Sequence, residues 1–482
     1  MRPVRGLAVR LLRPALVAAL VLGGPEAGAA ADLASAPAGS VVPAVATLSD
    51  PAATWDLYLP RGYDRSRRWP VLLLLDPGGV GERPLRLFRA AADEVGWVLA
   101  CANGVRSDGS GAANARVLNA VLGDVTRRLP VDERRIYAGG FSGGAVLAWV
   151  MALRAAWLAG AICVGGRPAP EHADLAPKCA VFVAAGEEDF NRRPSVELDR
   201  IAARAGVPHR LVFFPGPHAW LSADLARDAV VWHELLAARD GKAALPGERL
   251  EAYRLEALAS ARAREEAGDV LGAARRYREA AATFPGQASS AALEGRAAEL
   301  EESPAGRTAR RQEKAAEAYE ERSERRLLAA TRLLREETPP PSGERLARAL
   351  ELDATLRQAS GEGAEASAAR RVLAAVRAQL AFGGAVAAEL LRVGDWRRVR
   401  PAFAIAARAA PRDPLARYNL ACAQARCGET EKALASLAEA LDLGLPEPLR
   451  IGTDEDLASL RARPELGRLL ERAKAVGPSP PR

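Results

Sequence analysis

Aromatic residues make up only 5% of this 482-residue chain, cysteines number five and histidines four. Each scarcity excludes something. Basic residues outnumber acidic ones 67 to 60, for a net charge of +7. Yet no block of Lys and Arg stands apart with aromatics interleaved, as a nucleic-acid surface requires, and the charges read as solvated helix faces. Cys101, Cys163, Cys179, Cys422 and Cys427 are odd in number and match no zinc-ligand spacing. The first three fall in or beside apolar strand-like runs, where a thiol packs as a small hydrophobe. Beyond the N-terminus no segment is apolar enough to span a bilayer. There is no P-loop and no dinucleotide fingerprint. The reading expects no metal or organic cofactor, no nucleic acid and no membrane span.

What is present is 49% hydrophobic residues, ample for packed cores. The second half is dominated by Ala, Arg, Leu and Glu, a composition that favours helices. The N-terminus reads as a secretory signal over 1–31. Arg2, Arg5, Arg10 and Arg13 precede a short apolar stretch, Pro14 to Gly24, and small residues follow with cleavage after Ala29 or Ala31. The alternative is an apolar anchor that stays uncleaved. With no cysteine at this junction no lipid anchor is implied, and the expected address is periplasmic or secreted. That address permits a disulfide, but no pairing follows from the sequence.

Everything downstream is organised around Arg134 to Val150, RRIYAGGFSGGAVLAWV. Ile136-Tyr137-Ala138 suits a buried strand, Gly139 to Gly144 a sharp turn, and Ala145 to Met151 a helix. A Gly-x-Ser-x-Gly pattern in a strand–turn–helix setting marks a nucleophile elbow, where the hydroxyl must project from a strained turn. Gly140 and Gly144 are required because side chains there would meet the neighbouring strand and helix. The N–H of Gly143 opens the helix and faces the place of an oxyanion. The competing explanation is a glycine-rich turn with an incidental serine.

A leader to about residue 50 precedes an alternation of strands and helices. Strands are expected at Trp55–Pro60, Val71–Leu75, Gly96–Cys101, Arg135–Ala138, Ala161–Val164, Cys179–Ala185 and Arg210–Phe214. Helices are expected at Leu85–Val95, Arg116–Leu129, Val196–Ala205 and Ser222–Ala238, with a Gly/Ser loop over Val105–Ala113. The alternation implies an α/β fold with a doubly wound, mostly parallel sheet and its site at the strand carboxyl ends. A catalytic serine needs a base and an acid to hold it. His172 lies in a polar loop, His209 at the wrong end of a strand and His233 inside a helix. His218 follows a late strand in a Gly/Pro loop and is the candidate base. Asp189, past the strand Cys179–Ala185, is the candidate acid, with Glu187 and Glu188 as competitors.

These stretches carry a resemblance. Leu57-Tyr58-Leu59-Pro60, Asp132 through Gly144, Gly186 to Asp189 and Pro217-His218-Ala219-Trp220 make residues 54–238 resemble an α/β-hydrolase of the esterase, feruloyl esterase and polyhydroxybutyrate depolymerase-like group. The resemblance implies a serine hydrolase acting on small-molecule or polymer-linked carboxylic esters through Ser142, His218 and Asp189. One departure matters: where the group has His-Gly after the strand ending at Leu75, this chain has Asp76-Pro77. Pro77 has no N–H, so the second oxyanion donor passes to Gly78 or Gly79, beside a carboxylate. Trp220 and Phe141 are candidates for pocket lining or for core.

After a linker at 241–249 the periodicity turns helical. Gly268-Asp269, Gly394-Asp395 and Gly428-Glu429 share a register. Ala273, Val399 and Ala433 follow the glycine by five residues; Tyr277, Phe403 and Leu437 by nine; Ala280, Ala406 and Ala440 by twelve. Pro285 and Pro411 close the first two. Gly394 to Gly428 is 34 residues, and residues 250–474 resemble tetratricopeptide repeats, clearest over 376–444. The alternative is an Ala-rich helical bundle without repeats. Such an array implies a protein partner held on its surface. Arg307 to Glu337 reads as a degenerate repeat or a long exposed helix, Ser360 to Ala366 as a loop, Asp454 to Ala473 as terminal capping helices, and 475–482 as a disordered tail. The first half is thus an enzyme domain over 51–240; the competing account makes it a weak or inactive scaffold and assigns the function to the repeats.

Overall fold

The computed structural model describes Leu33 and residues 35–476, apart from 108, 285–289 and 382–383. The signal segment, Pro285 and the tail lie outside the described residues. The chain divides between Arg310 and Arg311 into two compact units.

The first unit is built on an eight-stranded sheet, β1 (Val41–Ala46), β2 (Thr54–Tyr58), β3 (Trp69–Leu75), β4 (Val98–Ala102), β5 (Val131–Phe141), β6 (Gly160–Val164), β7 (Ala180–Gly186) and β8 (His209–Phe214). Its strand order is β1-β2-β4-β3-β5-β6-β7-β8. β1 and β2 run antiparallel and β3 to β8 are mutually parallel. This is the α/β-hydrolase arrangement, and the expected fold class holds. The helices α1 (Glu82–Val95), α2 (Gly111–Arg128), α3 (Gly143–Arg154), α4 (Arg192–Arg204) and α5 (Ala223–Arg239) cover its faces. The uninterrupted Val71–Leu75 run follows from that double cover. Val71, Leu73 and Leu75 pack with Leu118, Val121 and Trp149 from α2 and α3. Leu72 and Leu74 pack with Phe88 and Val230 from α1 and α5.

Two sequence expectations change here. Residues 41–46, expected in a loose leader, form the edge strand β1. All six of its residues, VVPAVA, are apolar, with Val45 buried in the core and Val41, Pro43 and Ala44 exposed, so no apolar–polar alternation signals it. Its pairing with β2 and the 2.8 Å bond from Ala44 N–H to Asp56 Oδ1 hold it in place. Helix α2 begins at Gly111 rather than at Arg116, because Ser110 caps it by accepting the Ala113 N–H at 3.2 Å.

The first unit continues with α6 (Gly247–Glu266), α7 (Val270–Thr283) and α8 (Ser290–Glu302). Tyr253 of α6 and Phe284 pack on Val231 and Leu235 of α5. Arg210 of β8 is buried between Asp228 of α5 and Glu279 of α7, with Arg276 completing the cluster.

The second unit is helical. It contains most of α9 (Pro304–Glu336), then α10 (Gly343–Ala349), α11 (Leu352–Ala359), α12 (Gly363–Leu380), α13 (Ala385–Arg392), α14 (Trp396–Ala409), α15 (Pro414–Arg426), α16 (Thr430–Asp442) and α17 (Pro464–Val476). Leu327, Ala330 and Leu334 of α9 are buried with Leu346, Val376 and Phe403, so the charged run is a helix with one apolar face. The expected loop over 360–366 is shorter, since Gly363 to Ala366 already belong to α12. The register positions are all buried: Ala273, Tyr277 and Ala280 in α7, Val399, Phe403 and Ala406 in α14, Ala433, Leu437 and Ala440 in α16. Gly268, Gly394 and Gly428 share a left-handed conformation, φ +78°, +68° and +78°, which ends one helix and turns into the next. Asp269 and Asp395 cap the helices that follow. Among the described residues no helix is long and apolar enough to cross a membrane.

Candidate active site

β5 delivers Ser142 at the carboxyl edge of the sheet. Ser142 adopts φ 53° and ψ −118°, a strained backbone for a residue with a side chain. Two bonds hold it there: Ser142 N–H to Val164 O at 2.9 Å and Val146 N–H to Ser142 O at 3.1 Å. The flanking glycines are required by contact. A Cβ on Gly140 would meet the backbone of Gly144 and come within 2.8 Å of Ala145 N, and one on Gly144 would strike the Leu75 carbonyl at the end of β3.

Ser142 Oγ lies 2.9 Å from His218 Nε2, and His218 Nδ1 lies 2.8 Å from Asp189 Oδ1. The structure therefore brings together three residues that are far apart in the chain. Asp189 is fully buried, and its Oδ1 also accepts the Asn191 N–H at 2.7 Å. The His218 loop is pinned to the end of β7 by Glu187 N–H to Phe214 O at 2.8 Å and Glu188 N–H to Gly216 O at 3.0 Å. The His218 ring contacts both Phe141 and Phe190, with centroids 4.5 and 4.3 Å away. Phe190 was not singled out in the sequence, although its place beside Asp189 was the available signal.

The remaining histidines are engaged elsewhere. His172 accepts from Arg154 at 3.2 Å, His209 pairs with Asp199 at 2.7 Å, and His233 is buried against Ala161 O at 3.3 Å. Burial lowers the His233 pKa to about 3, which leaves it neutral. Glu187 and Glu188 lend backbone to the loop, whereas it is the Asp189 carboxylate that meets His218.

Gly143 is the first residue of α3, so its N–H is one of the donors a helix leaves without an internal acceptor. The expectation for the second donor needs correction. Asp76 bonds back to the chain two residues on, as Asp does in turns: Gly78 N–H donates to Asp76 Oδ1 at 2.8 Å. Gly79 N–H donates to Asp76 O at 3.0 Å. Both candidate amides are used inside their own turn. Trp220, 6% exposed, donates its Nε1–H to Asp76 Oδ2 at 2.9 Å and is a core residue rather than pocket lining.

All five cysteines are free thiols. Burial pushes the Cys101, Cys163 and Cys179 thiols up, which disfavours the thiolate form. In the second unit Cys422, Asp454 and Asp456 bring donor atoms within 4.8 Å of one another. Asp454 already takes Tyr418 Oη at 2.5 Å and faces Arg450 at 3.5 Å, which serves the packing of the last helices.

No protein-family model matches the chain, and no curated protein matches it. Solved structures do. An esterase from Pyrobaculum calidifontis is 17% identical, with a TM-score of 0.35 over 42% of this chain and 88% of its own. A substrate-bound fluorophosphonate-binding serine hydrolase F from Staphylococcus aureus is 15% identical, with a TM-score of 0.35 over 41% of this chain and 98% of its own. A ferulic acid esterase is 15% identical, with a TM-score of 0.32 over 38% of this chain and 91% of its own.

Proposed function

We propose that the protein is an exported serine hydrolase acting on carboxylic esters, with Ser142, His218 and Asp189 as its triad. The observation that carries this reading is the continuous bond chain Ser142 Oγ–His218 Nε2, His218 Nδ1–Asp189 Oδ1 at 2.9 and 2.8 Å on a strained elbow. Ser142 attacks the acyl carbonyl. His218 takes its proton and returns it to the leaving alcohol. Asp189 holds the imidazole in the tautomer whose Nε2 is free to accept and stabilises the cation that forms. Gly143 N–H donates to the developing oxyanion, a contribution of about 3–4 kcal/mol per donor. Water then hydrolyses the acyl-enzyme by the reverse proton path. The helices from α6 onward read as tetratricopeptide-like repeats that hold a protein partner and bring the hydrolase to it.

A second reading has one observation in its favour. With Gly78 and Gly79 N–H both engaged, the site has fewer amide donors than its elbow implies. On that account the sheet domain is a weak or inactive scaffold and the repeats carry the function.

Hydrolysis of p-nitrophenyl acetate, butyrate and octanoate by the mature chain, beside Ser142→Ala, separates the two. The esterase reading expects Ser142→Ala to lose on the order of 10⁶ in turnover, as removal of a triad serine does. A loss below about tenfold contradicts it.

A further inference from the structure

Asp76 and Pro77 leave the oxyanion site one donor short. Pro77 has no N–H, and Gly78 and Gly79 spend theirs on Asp76 Oδ1 and Asp76 O, at 2.8 and 3.0 Å. Asp76 is held from its other side by Trp220 Nε1 at 2.9 Å. The loop after β4 lies against this turn. Gly104 N–H donates to Gly79 O and Ser107 N–H to Pro77 O, both at 3.1 Å. From there Ser107 reaches the elbow. A Cβ on Gly143 would collide with Ser107 Oγ and come within 2.8 Å of Ser107 Cβ and 2.9 Å of its Cα. The residue after the nucleophile is glycine because Ser107 fills the space a side chain would take. Ser107 is exposed.

Ser107 thus bridges the two elements between which an acyl oxygen is held in this fold, the turn after β3 and the first turn of α3. We propose that the Ser107 hydroxyl is the second oxyanion donor, a catalytic residue acting beside Gly143 N–H; the proposal rests on the esterase reading. The Ser142 Oγ–carbon bond forms, the carbonyl π pair moves onto oxygen, and His218 takes the Ser142 proton. Ser107 donates a hydrogen bond to that oxygen and keeps its own proton. When the pair returns, the bond to the alcohol breaks and His218 protonates the leaving oxygen. A hydroxyl suits the task because its hydrogen rotates to follow the oxygen as the carbon becomes tetrahedral.

The test is kcat and KM for p-nitrophenyl butyrate with Ser107→Ala, Ser107→Cys and Ser107→Thr, each checked for a native melting temperature, beside the parent and Ser142→Ala. Losing one oxyanion donor lowers kcat by about 10²–10³ with KM within a few-fold. Ser107→Thr, which keeps the hydroxyl, recovers at least about tenfold of that loss. Ser107→Cys keeps the shape but donates weakly, and falls with Ser107→Ala. Ser142-dependent turnover with Ser107→Ala within about threefold of the parent overturns the Ser107 role and leaves the esterase standing. Full activity in Ser107→Cys, or equal loss in all three variants, also overturns it, by showing a packing role. A parent with no Ser142-dependent turnover and no fluorophosphonate labelling overturns the esterase reading and this proposal with it.

Discussion

Trp220 Nε1 donates to Asp76 Oδ2 at 2.9 Å, which ties the loop that carries His218 to the turn after β3. Asp76 Oδ1 takes Gly78 N–H in the same turn. Two donors therefore hold the Asp76 carboxylate in place. The bond also explains the tryptophan two residues past His218: the indole body packs on Phe88 and Phe141 while its N–H is spent on Asp76. Asp76→Ala leaves a mostly buried indole N–H without an acceptor, at a cost of about 1–3 kcal/mol. Urea unfolding measures it, and a change under about 0.3 kcal/mol would show the bond to be idle.

Asp189→Asn keeps the volume of a fully buried side chain but offers His218 Nδ1 an amide where a carboxylate stood. The imidazole then favours the tautomer that places its proton on Nε2, facing Ser142. Turnover should fall on the order of 10⁴ with little change in KM. Steady-state kinetics on one ester decide the matter, and a loss under about tenfold removes Asp189 from the triad.

His233 supplies a pH dependence away from the site. Its folded pKa is lowered to about 3 by burial, against an ordinary value of about 6.5. The unfolded chain therefore binds this proton first as pH falls. The stability His233 contributes is fully present above about pH 6.5 and is lost toward pH 3, at about 1.4 kcal/mol per pH unit. In His233→Gln that limb of the stability profile should flatten by this slope relative to the parent. Identical slopes between pH 6 and 4 would contradict the assignment.

Gly394 and Gly428 test the helical turns. Both are left-handed, and a Cβ on either meets nothing within 4 Å. Alanine at each position therefore carries backbone strain alone, about 1–2 kcal/mol. Thermal unfolding of the single variants reads it out. Neutral substitutions would mean that the turns relax without cost.

The sheet was legible because its strands are short apolar runs buried on both faces, as Val71–Leu75 illustrates. The register of the helical half was legible because Ala, Tyr, Phe and Leu recur at buried positions. Edge strand β1 was not, since its all-apolar VVPAVA carries no apolar–polar alternation to set it apart from the Ala/Pro-rich stretch before it. Ser142, His218 and Asp189 could be nominated from their places after strands. The turn after β3 could not be read, because whether Gly78 N–H faces a cleft or the Asp76 carboxylate depends on one rotamer and a partner at Trp220. Ser107 was invisible for a related reason. It sits in a loop after β4, and only the folded chain places it against Gly143.

The most direct test of the central claim is intact-protein mass spectrometry after treatment with a fluorophosphonate, followed by peptide mapping. The account predicts one adduct per chain, on Ser142, lost in Ser142→Ala and slowed on the order of 10³-fold or more in His218→Ala, because the base that activates the serine is gone. An unlabelled parent, or an adduct on a residue other than Ser142, would contradict it.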